Sequence, residues 1–308
     1  MQEHWRNLNK PYLGAAASIS DAIGHGVNRH LATLRWLRKS NRLLIFSDIG
    51  GDHRRANHRA YAFLVVGGES VHQWLCVWQR LRRRLLPDNR RMSYERLTER
   101  RRRDAADAFL AASDQLDGFL VTVIIDKSLS LFEAESIPDE FSHWRRKPFE
   151  RLLVATNLLS VLLAGITSPG QDVLWITDDD DLAPNERRLG EVCDVVGRVS
   201  SHYLDHNLGH FRFATARSDD GSRQIEDLLA FPDLAAGWLP ELLRSYRDAG
   251  AELSEHLITP PPESLPQKAR YLLMWAAHPS RLHHVAIAVE ANAPHSRFLV
   301  RRICLSLD

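Results

Sequence analysis

The sequence predicts an α/β layer protein in which a sheet is covered by helices on both faces. Two observations carry this expectation. Short apolar runs rich in β-branched residues alternate with segments whose apolar residues recur every three or four positions. The strand-like runs are also apolar throughout rather than alternating, as in sheets buried on both sides. With 308 residues the chain is long enough to bury a core without disulfide or metal staples.

Taken in order, residues 1–40 read as a helical N-terminal extension, with Val27, Leu31, Leu34 and Leu37 at helical spacing. The run 43–46 forms a first strand that reaches Asp48 and turns at Gly50 and Gly51. Residues 61–66 form a second strand, and the pair is expected to make a hairpin. Residues 70–113 are helical, broken once at 86–89, because proline at 87 cannot continue the backbone ladder and disfavours helix at the residue before it. The run 119–125 is a third strand ending at Asp126. An apolar helix follows, with Pro148 in its first turn and Gly165 near its end.

A fourth strand, 173–176, leads to Asp178 and three further aspartates. A helix over 186–205, a fifth strand over 210–216 and a helix over 224–243 with a break at Pro232 come next. Three prolines at 260–262 suggest a stiff linker. Beyond them the segment 259–308 holds a helix (267–277) and a strand pair (282–289 and 297–305).

Composition excludes several classes. The longest apolar stretch, 152–166, falls short of the roughly 18–20 residues a membrane span needs and contains Thr156, Asn157 and Ser160. No membrane partner is therefore expected. The N-terminus lacks the basic and apolar regions of a secretory signal. Cys76, Cys193 and Cys304 are far apart and lack metal or redox spacing, so they read as buried thiols in a cytoplasmic protein. No glycine-rich phosphate loop and no nucleophile elbow occurs. Formal net charge is only +1, yet 80–103 holds eleven arginines against Asp88, Glu95 and Glu99. That segment is a candidate phosphate-binding surface, with Arg96, Arg100 and Arg103 predicted on one helical face. The same charge could equally be a solvated face.

The chemistry is carried by carboxylates at strand ends: Asp48 with Asp52 after the first, Asp126 after the third, Asp178 with Asp179 after the fourth. Ligands of open α/β sheets bind beyond the carboxyl ends of the strands, and parallel neighbours would gather these acids. Grouped carboxylates repel unless they share a cation, and hard oxygen donors suit magnesium or manganese. A metal-assisted phosphodiester site follows. The plainer alternative is that each aspartate caps a turn or a helix.

Asp48-Ile49-Gly50-Gly51-Asp52, the strand ends Asp126-Lys127 and Asp178-Asp179, and the late-helix segment Phe231-Pro232-Asp233-Leu234-Ala235-Ala236-Gly237 together resemble the bacterial family known as domain of unknown function 3800, over about residues 42–240. The resemblance implies a ribonuclease H-like mixed sheet flanked by helices, a core at 41–243 with a basic helical insertion at 70–113. It also implies Mg2+ or Mn2+ held by Asp48, Asp178 and Asp233, with Asp126, Asp179 and Asp52 as further candidates. The expected activity is a metal-dependent nuclease on DNA or RNA, in phage defence or mobile-element biology. Ile49, where the family has an acid, leaves open a catalytically inactive module that binds nucleic acid or a protein partner.

The connection 52–59 adds His53, His58, Arg54 and Arg55, expected to overhang the acids; proton transfer or phosphate contact is one reading of them, and a mobile basic hairpin loop is the preferred one. His202, His206 and His210 are spaced by four, but Gly209 interrupts them, so a helix end is preferred to a metal array.

Overall fold

The computed structural model describes residues 3–8, 10–51, 56–132, 137–178, 182–250, 261–291 and 298–305. Its strands are β1 (Arg42–Gly50), β2 (His58–Gly67), β3 (Gly118–Asp126), β4 (Asp172–Thr177), β5 (Phe211–Thr215), β6 (Leu282–Glu290) and β7 (Leu299–Ile303). They form one seven-stranded mixed sheet in the order β5-β4-β1-β2-β3-β6-β7. The first three strands run antiparallel in succession. β4 is parallel to β1 and β5 to β4, while β6 runs parallel to β3 and pairs with an antiparallel β7.

The helices are α1 (Ala15–Val27), α2 (Leu31–Lys39), α3 (Gly68–Leu85), α4 (Arg100–Ala112), α5 (Arg146–Ile166), α6 (Glu186–Tyr203), α7 (Gln224–Asp248) and α8 (Gln267–Ala277). Side chains alternate across each strand, so each strand feeds two cores. Phe46, Leu64 and Ile176 pack with α3, α4, α7 and α8 on one face. Ile45, Phe63 and Trp175 pack with α1, α2, α5 and α6 on the other. The result is three layers, which is why the strand runs are apolar throughout. The N-terminal helices belong to this packing, with Ile19, Ile23, Leu34 and Leu37 buried beside α5. The C-terminal strands likewise extend the common sheet through β6.

Helix α5 runs longer than its apolar stretch and is long and apolar enough to cross a membrane by composition. In this fold 78% of its most apolar window is buried inside the protein. Its hydrophobic residues surround the axis, as expected for a helix enclosed by neighbours.

Four expectations need correction. Helix α7 passes through both Pro232 and Pro240 without ending. Each proline forfeits a backbone bond, at a cost of about 3 kcal/mol in an unsupported helix, and the burial of Phe231, Leu234, Trp238, Leu239, Leu242 and Leu243 on the sheet outweighs it. Asp219 also fixes the start of α7, its carboxylate accepting from the N–H groups of Arg223, Ile225 and Glu226.

Second, the interruption between α3 and α4 spans residues 86–99 rather than one short turn, because Leu86, Met92, Tyr94 and Leu97 anchor it in the core. Third, Arg96 lies before α4 and shares no helical face with Arg100 and Arg103, since the backbone is extended at Glu99. Fourth, of the three thiols Cys304 alone is buried; Cys193 is half-buried and Cys76 is exposed on α3.

Candidate carboxylate site

The register decides which acids meet. Leu44 pairs with Leu174 and Phe46 with Ile176. Two residues further on, alternation places Asp48 and Asp178 on that same face, and Asp178 N–H donates to the Ser47 carbonyl at 3.1 Å. Helix α7 covers this face and contributes Asp233. Three carboxylates separated by 130 and 55 positions thus converge.

Arg91, from the connection between α3 and α4, enters among them. Its Nη1 donates to Asp178 Oδ1 at 2.9 Å and its Nη2 to Asp178 Oδ2, a two-pronged pair. The same Nη2 lies 4.0 Å from Asp233 Oδ2, which also accepts from the Tyr94 backbone N–H at 3.0 Å. Burial, reinforced by Asp233 and Asp178, pushes the Asp48 carboxyl well above the usual carboxylate range, against the Ile49 N–H and Arg91. Burial also raises Asp233, against Arg91 and the Tyr94 N–H. At Arg91 burial works against the charge, but its bonds to Asp178 and the field of the three acids more than offset it, so the guanidinium is held more firmly protonated than a free one.

Two glycines allow this close assembly. A Cβ on Gly50 would meet the Ala236 carbonyl oxygen at 2.5 Å, and one on Gly237 would meet the Tyr94 ring at 2.2 Å. Lacking side chains, they let β1, α7 and the connection approach one another. A cavity of about 320 Å³ lies against the Gly51 turn and against Ala236 and Gly237 of α7; none of the three acids lines it, and its charged lining mixes Glu95 and Glu241 with Arg244, Arg247 and Lys268. His58 begins β2 and is buried; Arg247 Nη2 donates to its Nε2 at 3.1 Å, so the ring is neutral with its proton on Nδ1. Burial and the Arg247 charge accordingly lower its pKa.

The other sequence candidates fall elsewhere. Asp126 ends β3, which β2 separates from β1, and its Oδ1 closes a local turn with Ser128 N–H (2.9 Å) and Oγ (2.8 Å). The parallel-neighbour expectation therefore applies to β1 and β4 but leaves Asp126 two strands away. Asp52, His53, Arg54, Arg55 and Asp179 lie outside the described residues. Arg96, Arg100 and Arg103 are exposed, and Arg100 faces Asp104 at 3.8 Å. Helix α6 ends at Tyr203, and His206 beyond it bonds Thr167 Oγ1 at 2.9 Å, so the histidines form no stack.

Arg91 and Tyr94 were not singled out from sequence. The signal available was the set of apolar residues, Met92, Tyr94 and Leu97, inside what reads as a polar break.

Three oxygen-donor side chains from rigid elements suit a hard divalent cation by chemistry. Among the described residues, no three acidic, histidine or cysteine side chains stand close enough to hold a metal, Asp48, Asp178 and Asp233 included. No family model and no curated protein matches this chain.

Proposed function

We propose that this chain is a divalent-metal-dependent nuclease that hydrolyses phosphodiester bonds of DNA or RNA at the cluster of Asp48, Asp178 and Asp233. The observation that carries the reading is a surplus of negative charge: three converging carboxylates, two of them pushed toward protonation, face a single arginine. Mg2+ or Mn2+ bound there would supply Lewis-acid stabilisation and an activated water. The chain's own part is positional. β1 and β4 fix two acids on a rigid sheet, the Tyr94 N–H orients Asp233, and Arg244, Arg247 and Lys268, which share a neighbouring cavity with Glu95 and Glu241, are the positive groups a backbone phosphate would meet there.

A mixed sheet with three antiparallel strands followed by two parallel to the first is compatible with a ribonuclease H-like core. The resemblance to the domain of unknown function 3800 family adds a place in phage defence or mobile-element biology to the proposal, and the cysteine pattern adds a cytoplasmic setting.

A second reading, a non-catalytic module that binds nucleic acid or a protein partner, is favoured by one observation: Arg91 already neutralises Asp178. Incubation of the purified chain with single-stranded DNA, duplex DNA and RNA in Mn2+ or Mg2+ separates the two. Cleavage that falls at least about a hundredfold in Asp48→Asn and Asp178→Asn is the expected result, by the size of effect typical when a charge-stabilising group is removed. Binding without cleavage of any of these polymers gives the second reading.

A further inference from the structure

We propose that Arg91 is the resident counter-ion of the carboxylate cluster, and that a divalent cation enters only by displacing it. Both oxygens of Asp178 are engaged by the guanidinium, and its Nη2 reaches to within 4.0 Å of Asp233. A metal needs those same oxygens at about 2–2.6 Å. Guanidinium and metal therefore compete for the same oxygens, and their like charges oppose sharing them.

The placing of Arg91 is built, not incidental. Its own carbonyl accepts from Arg102 Nε at 2.7 Å, and the neighbouring Arg90 carbonyl accepts from Arg82 Nη2 at 3.0 Å. Arg82 is itself locked to Asp227 at 2.6 Å, with both side chains buried. On the other side, Met92 is fully buried and Tyr94 nearly so. The backbone is thus clamped before and after Arg91, and the side chain is the part left to move. Two arginines of the basic segment, Arg82 and Arg102, serve to aim a third into the acids. Rotation of that side chain outward would open Asp178 and Asp233 together, while its return would close them, so the resting site is self-blocked.

The inference rests on the nuclease reading only in naming a divalent ion as the competitor. It is tested by calorimetric titration of Mn2+ into the full chain without nucleic acid. Arg91→Ala should bind Mn2+ at least tenfold more tightly than the wild type, and the gain should vanish in the double variant with Asp178→Asn. Should Arg91→Ala melt early, Arg91→Gln, which keeps a polar side chain without charge, gives the same comparison. Equal affinity in wild type and variant, or no Mn2+ binding once Arg91 is removed, overturns the proposal. Tighter Mn2+ binding without cleavage would end the nuclease reading and leave this inference standing. Cleavage with unchanged Mn2+ affinity would do the reverse.

Discussion

Helix α7 carries two aspartates six positions apart, one buried and one half-buried, and each meets an arginine from the same basic segment. At Asp227 one acid meets one arginine, although burial, against Arg82 and Trp78, still pushes its carboxyl up to about 7. Arg82 donates to one carboxylate oxygen at 2.6 Å and Trp78 Nε1 to the other at 2.7 Å, and the residue is 1% exposed. At Asp233 one arginine serves three acids, and Asp178, Asp233 and Arg91 keep 17%, 20% and 27% of their side-chain surface. The same partnership of arginine and aspartate builds the fold where it balances. Where it does not, it leaves a site with an unmet demand for positive charge.

The comparison breaks most visibly at the balanced pair. Arg82→Ala leaves Asp227 buried and uncompensated, and chemical denaturation should show a loss of about 3–5 kcal/mol, the usual cost of halving a buried ion pair. Arg91→Met should cost only about 1 kcal/mol, because that site is partly open to solvent. Adding Mn2+ should restore the loss by mass action, whereas Mn2+ should do nothing for Arg82→Ala. Equal losses in the two variants would erase the distinction between the sites.

Asp48→Asn sharpens it from the acidic side. The folded protein holds the Asp48 proton above the pH near 3.8 at which an ordinary aspartate releases it. Above that pH the folded state binds more protons than the unfolded one, so stability falls as pH rises. In metal-free buffer the wild type should therefore weaken from about pH 4 upward, and Asp48→Asn should flatten that decline and melt at the same temperature or higher. Parallel pH profiles would show that the acids are not in surplus.

The smallest effect on the fold belongs to the exposed arginines. Replacing Arg96, Arg100 and Arg103 with Ala should leave melting unchanged and, if they contact phosphate, lower the slope of log affinity against log salt by about two to three units. An unchanged slope means that these arginines face solvent or a protein partner and favours the non-catalytic reading.

Much of the architecture was legible because burial on two faces leaves a strong mark. The runs at 43–46, 61–66, 119–125 and 173–176 all became strands, and the apolar helix became α5, with Leu158 fully enclosed. Asp48 and Asp178 could be picked out by their places at strand ends and the register then drew them together, whereas Asp233 was named only by the family resemblance and is brought in by α7. Proline was misleading at 232, since its local preference is a few kcal/mol and a helix pressed on a sheet along its whole length recovers more. The arginine block was opaque for a different reason. Composition gives the number of charges but not their direction, and Arg82, Arg91 and Arg102 point inward while Arg100, Arg101 and Arg103 point to solvent. Only the three-dimensional path of the connection at 86–99 separates the two sets.

The dispersed origin of the carboxylates also has a consequence during synthesis. Asp48 and Asp233 stand 185 positions apart, and at a ribosomal rate of about 5–20 residues per second the first waits roughly ten to forty seconds for the second. Throughout that interval the growing chain carries strands, hairpin and the arginine segment but no complete set of acids. The cluster comes into being only when α7 settles on the sheet, so whatever the complete set of acids does is confined to the finished fold.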